Sequence, residues 1–152
     1  MNNSKSRKGK RRMWIIIGIV GVIAVVMGGG FLATAPGRQE LMNVNIATLD
    51  FRNLRDGTYL GQYSGTKDHF RDAKVEVTVS SGKVSGIKVI DGTNVYKEGK
   101  PIEIRNGLTI EDLNSKVIRE QSLQVDVISG ATLTSNAYLK AIENALKQAQ
   151  IK

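Results

Sequence analysis

At 152 residues the chain has room for one domain with some length to spare. It carries a formal net charge of +8 from 22 basic and 14 acidic residues, with no cysteine and a single histidine. That excludes disulfides, thiolate-held iron–sulfur clusters and cysteine-linked haem, and it argues against a histidine-rich metal site.

The excess charge sits at the start. Lys5, Arg7, Lys8, Lys10, Arg11 and Arg12 precede any acid, and the rest of the chain is close to balance. Such a run suits a nucleic-acid arm, but here it abuts an uncharged stretch from Met13 to Ala35. Twenty or so apolar residues are enough to span a bilayer, and basic residues on one flank keep that flank cytoplasmic. The pattern predicts a basic cytoplasmic arm over 1–12, in contact with anionic lipid heads, and a single transmembrane signal anchor over 13–35. Trp14 suits the interface, and no nucleic-acid partner is expected. Ala33-Thr34-Ala35 has the form of a signal-peptide cleavage site, yet Pro36 follows it and the apolar run is longer than the usual signal core. An uncleaved anchor is the reading, with everything after it outside the cytoplasm. With no cysteine, a lipoprotein anchor is closed.

Residues 36–55 read as a linker with apolar content, Leu41, Val44, Ile46, Leu49, Phe51 and Leu54, part of which packs on the domain or on a partner. The domain proper is expected over 56–152. Asp56-Gly57 is a turn, and 58–63 reads as a strand carrying Tyr59 and Tyr63. His69 lies in a polar stretch, 66–72, that reads as a solvent-facing loop. Lys74 to Val79 alternates, with Val75, Val77 and Val79 on one face. Ser81-Gly82 turns the chain, and 84–90 returns as the second arm of a hairpin. Residues 93–106 read as a polar loop, with a short strand near Ile102 to Ile104. Thr109-Ile110-Glu111-Asp112 resembles a capping box, and Ile110, Leu113, Val117 and Ile118 then share one helix face.

The last helix is the clearest. Tyr138, Ala141, Ile142, Ala145, Leu146 and Ala149 recur at helical spacing, and Glu143 and Lys147 form a four-residue pair on the polar side. The fold class is therefore α+β: an N-terminal transmembrane helix, then a small domain in which an antiparallel β-hairpin or sheet is packed by two helices. Before the last helix stands Asp126-Val127-Ile128-Ser129-Gly130-Ala131-Thr132-Leu133-Thr134-Ser135-Asn136. Thr132, Thr134 and Ser135 lie where an N-cap hydroxyl is wanted, and Gly130 and Ala131 leave the backbone open to close approach. On physical grounds this is an ordinary capped helix, or a helix N-terminus that holds a phosphate.

Asp126 to Thr132 resembles the flavinylation motif Asp-x-x-Ser/Thr-Gly-Ala-Thr of the FMN-binding domain family, which includes peripheral flavoprotein subunits of sodium-pumping NADH:quinone reductase and of the RNF complex. The likeness continues through Leu133 to Asn136 and back to Asp56-Gly57-Thr58-Tyr59, covering roughly 56–149. It implies FMN joined through its phosphate to Thr132 by a flavin transferase that recognises Asp126. Ser129, Gly130 and Ala131 would give steric access, and Leu133, Thr134 and Ser135 would line the helix start. Tyr59 is either a cross-strand packing residue or a neighbour of the isoalloxazine ring. The family's segment of an acid followed by Thr-Pro-Gly is missing from Asn94 to Pro101. The implied role is a membrane-anchored electron relay between a membrane donor and an extracytoplasmic acceptor; the alternative is a docking module without covalent flavin. No nucleophile pair, general base or metal cluster is visible, so a carrier is expected rather than an independent enzyme.

Overall fold

The computed structural model describes residues 13–23, 35–67, 69–92 and 94–151. The chain divides into two units, Met1–Ala35 and Pro36–Lys152. In the first, residues 13–23 form a helix, α1, whose side chains are exposed. At about 1.5 Å per residue this describes roughly 16 Å of helix, against about 30 Å of bilayer hydrocarbon. Among the described residues no helix is long and apolar enough to cross a membrane. That corrects the expected transmembrane helix over 13–35; its second half, 24–34, and the basic arm, 1–12, lie outside the described residues.

The second unit opens with α2 (Ala35–Met42) and continues with β1 (Gly57–Tyr63), β2 (Ala73–Ser80) and β3 (Lys83–Asp91). These strands form one antiparallel sheet in the order β1-β2-β3. Val75, Val77 and Val79 are buried on one face, as their alternation predicts. The β2–β3 connection is a two-residue turn in which Ser81 and Gly82 both have positive φ, 54° and 73°. Asp56 fixes that turn from a distance. Its carboxylate accepts the Ser81 N–H at 3.0 Å and the Gly82 N–H at 2.7 Å.

A small ribbon, β4 (Tyr96–Lys97) with β5 (Lys100–Pro101), then reverses through Glu98 and Gly99 at positive φ. The short strand expected near Ile102 to Ile104 therefore lies earlier in the chain. α3 (Ile110–Glu120) begins where the Thr109 N–H and hydroxyl both donate to Asp112, at 2.7 and 3.0 Å. Those bonds hold the Asp112 carboxyl below its usual range. The helix packs on β3, and Gln121 at its end bonds both the N–H and the carbonyl of Val84, at 2.9 and 2.8 Å.

α4 (Thr132–Ala149) lies across β1 and β2. Ala137, Ala141, Ala145 and Ala149 recur every four residues and are fully buried. Opposite them, Gly61 has no Cβ; one placed there would run into the Ala141 carbonyl oxygen and lie 2.6 Å from the Ala145 nitrogen. Asn144 and Gln148 donate to the Gln62 and Leu60 carbonyls at 2.9 and 2.7 Å, which pairs backbone groups on an edge strand.

Residues 41–55 cover the remaining side of α4. Leu41, Phe51 and Leu54 are buried, Asn136 donates to the Leu41 carbonyl at 2.9 Å, and the Arg55 N–H donates to the Ala149 carbonyl at 2.8 Å. This segment belongs to the same compact unit as the sheet. Its packing changes the reading of Glu143, which the helical pattern placed on the polar side. Glu143 is fully buried, and it accepts bonds from the Ala47 N–H (3.1 Å), Lys140 (3.0 Å) and Lys147 (2.5 Å). Burial alone would raise its pKa; the bonds from Lys147, Lys140 and Ala47 outweigh it and the net shift is downward.

A carboxyl with a depressed folded pKa adds stability above its unfolded value, near 4.5, and that stability is lost as pH falls through the folded pKa. Glu143→Gln is therefore expected to lower stability at pH 7 by about 2–3 kcal/mol. The difference from wild type should shrink at pH 3, and urea unfolding at the two pH values measures it.

Candidate functional site

The approach to α4 is a four-residue turn. The Ala131 N–H donates to the Ile128 carbonyl at 2.8 Å, and Gly130, third in the turn, has φ +78°. Only glycine adopts this without strain. A side chain there would also press on Arg105, whose Nε lies 3.0 Å from the Cβ position. Ser129 and Gly130 are exposed and Ala131 is half-buried.

Ala131 is the N-cap and has no capping side chain, so the hydroxyls expected as caps do other things. Ser135 is fully buried. Its Oγ donates to the Ala131 carbonyl at 3.1 Å and accepts the Ile128 N–H at 3.2 Å, clasping the turn to the first helical turn. Thr132, the first residue of α4, is exposed, and its hydroxyl has no partner among the described residues. Thr134 and Leu133 are half-buried.

Two clefts meet at this helix start. One, of about 350 Å³, is lined by Met42, Arg71, Gly130, Ala131, Thr132, Leu133 and Thr134. The other, of about 440 Å³, is lined by His69, Phe70, Arg71, Asn94 and Thr134. They share Arg71 and Thr134, and among the described residues neither lining contains a carboxylate. Both volumes suit a small organic ligand.

The loop that supplies Phe70 and Arg71 is tied at both ends by acids. Glu40, on α2, accepts the Thr66 N–H at 3.1 Å, its hydroxyl at 3.0 Å, the Lys67 N–H at 3.3 Å and the Tyr63 hydroxyl at 3.2 Å. These bonds, that from the Thr66 N–H foremost, keep its pKa low. Asp72 accepts the Ser64 hydroxyl at 2.7 Å and the Gly65 N–H at 2.9 Å, and His69 Nδ1 lies 3.0 Å away. Burial raises the Asp72 pKa, and those bonds reverse the shift. Across the second cleft, Tyr138 donates to Asn94 Oδ1 at 3.2 Å. Burial first, and the Asp91 charge second, raise the Tyr138 pKa, so its proton stays on to make that bond.

The expected site residues are thus partly assembled. Gly130, Ala131, Thr132, Leu133 and Thr134 share the first cleft, with Ser129 in the turn beside it and Ser135 beneath it. Asp126 is exposed; its carbonyl accepts Lys116 at 3.2 Å and its residue lines neither cleft. Tyr59 is not brought to the site. Its hydroxyl donates to the Arg55 carbonyl at 2.9 Å, and its neighbour Leu60 meets Gln148, sixteen residues along α4 from Thr132. That is about 24 Å of helix. The pattern of residues did not single out Met42, Phe70 or Arg71. An aromatic-basic pair in an otherwise polar connection between strands was the available signal.

A family model described as FMN-binding domain matches residues 70–147, just over half of the chain. The chain belongs to the FMN-binding domain family. The match begins at Phe70, so it takes in Phe70 to Asp72 of the loop, both clefts' lining from 70 onward and the motif, and leaves Tyr59 outside. An uncharacterized protein of Treponema pallidum (strain Nichols) is 29% identical over 97 residues, 64% of this chain and 24% of that protein. The chain thus spans about a quarter of that relative's length. No solved structure matches. Family membership supports FMN as the cofactor and a flavin-dependent electron-transfer role.

The residues fit a flavin phosphate. Arg71 Nη1 is buried without a hydrogen-bond partner, among the described residues the cleft linings hold no acid, and the first turn of α4 offers its unpaired N–H groups. Ser135→Ala should leave the buried Ile128 N–H unpaired and cost about 1–3 kcal/mol. Urea unfolding and hydrogen exchange at Ile128 check this: faster exchange there is expected, and wild-type protection would contradict the clasp.

Proposed function

We propose that this domain is an electron carrier whose FMN is joined by a phosphoester bond between its phosphate and Thr132 Oγ1. The observation that carries the reading is the division of labour among the motif's hydroxyls. Ser135 is buried with both hydrogen-bonding roles used, whereas Thr132 is exposed at the helix start, on the cleft, with its hydroxyl unengaged. A bound FMN supplies one- and two-electron transfer, and the protein's tasks are to hold and orient it. The tight turn presents Thr132, the first-turn N–H groups face the phosphate, and the loop 64–72 walls the cleft.

A flavin transferase is the partner that the reading requires. The exposure of Asp126, Ser129, Gly130 and Thr132 supports it, since the enzyme must reach the motif from solvent. An electron donor and an acceptor then meet the open side of the clefts. An extracytoplasmic placement belongs to the same proposal and rests on the charge and apolar pattern of the first 35 residues.

The test is the intact mass of the full chain co-expressed with a flavin transferase. Wild type and Thr134→Ala are expected to gain one FMN less water, and Thr132→Ala to gain nothing. A wild-type chain of unchanged mass, beside a control substrate that the same transferase loads, would falsify the covalent reading and leave the docking module.

A further inference from the structure

We propose that Arg71 is the residue that binds the phosphodiester formed at Thr132, with Phe70 holding its guanidinium in place; this rests on the reading of Thr132 as the attachment point. An arginine has five N–H donors and cannot shed its charge, so a buried guanidinium nitrogen without an acceptor is costly. Arg71 Nη1 is such an atom, and its side chain lines the same cleft as Thr132. Its guanidinium carbon lies 5.1 Å from the centre of the Phe70 ring, which restricts the plane it can adopt.

Glu40 bonds Thr66 and Asp72 bonds Ser64 and Gly65, all ahead of Phe70 in the loop, and among the described residues these two acids are the local competitors for the guanidinium. Both are engaged elsewhere. Among the described residues no acid lines the cleft, and a ligand's anionic group would supply the acceptor that Arg71 Nη1 lacks. A phosphodiester carries one negative charge and two free oxygens, and planar bidentate pairing with such a group is what arginine does better than lysine. The helix start contributes its N–H groups to the same charge. Arg71 is thus a binding residue for the attached cofactor, while Arg105, packed against Gly130, lines neither cleft.

The test compares full-length wild type, Arg71→Gln and Arg71→Lys, each with and without transferase treatment, with intact mass reporting the loading. Two readouts follow: the phosphorus-31 resonance of the phosphodiester and the melting temperature before and after loading. In wild type the resonance should be displaced from its position in the urea-unfolded chain, and loading should raise the melting temperature. In loaded Arg71→Gln the displacement and the gain should both be lost, and Arg71→Lys should restore part of each. Loaded Arg71→Gln with the wild-type resonance and gain overturns the assignment of Arg71 alone. A wild-type chain that takes up no FMN overturns the attachment at Thr132, and this assignment with it.

Discussion

The domain depends on a contact without side chains: the backbone of β1 at Gly61 against the backbone of α4 at Ala141 and Ala145. Helix and sheet usually meet through interdigitated side chains. Here a glycine faces a stripe of alanines, so α4 sits close enough for Asn144 and Gln148 to reach the carbonyls of the edge strand. A helix held this tightly along its middle has both ends placed by rigid geometry. Its last turn receives the Arg55 N–H, and its first turn stands at the clefts where the motif is displayed.

The other side of α4 is closed by the segment before β1, and that closure depends on one buried carboxylate. Glu143 gathers two lysines and a backbone N–H, which together satisfy a charge that burial alone would neutralise. The same economy of acids recurs at the site. Glu40 and Asp72 are spent on fixing the loop that carries Arg71, and among the described residues the cleft linings hold a cation and no carboxylate. Turn, loop and Asn94 are separate pieces, and each is held by its own hydrogen bonds: Ser135 clasps the turn to the helix start, the two acids hold the loop, and Tyr138 holds Asn94.

The β2–β3 hairpin, α3 and α4 could be read from the residues because local periodicity and turn chemistry act over a few positions. Val75, Val77 and Val79 need only a two-residue repeat, and Ser81-Gly82 needs only two positive φ angles. The motif could be read because the family resemblance rests on contiguous residues. What could not be read depends on contacts between distant segments. Glu143 looks solvent-facing in a helical pattern, and only residues almost a hundred positions earlier reveal that it is covered. Arg71 sits in a stretch whose composition says loop and nothing more, and its place beside Thr132 is a product of the tertiary fold. Tyr59, open between strand packing and a place beside the ring, has its hydroxyl on the Arg55 carbonyl, and its neighbour Leu60 meets Gln148 far along α4. The apolar run after Lys10, Arg11 and Arg12 meets the composition of a span, but the described helix over 13–23 falls short of one.

The most direct measurement of where the cofactor acts is residue-resolved hydrogen exchange on the full chain before and after flavin loading. Protection should rise at Ala131 to Thr134, Phe70, Arg71 and Asn94, and stay unchanged around Tyr59 and Leu60. Changes centred on Tyr59, with the helix start and the loop 64–72 unaffected in a loaded chain, would contradict the account.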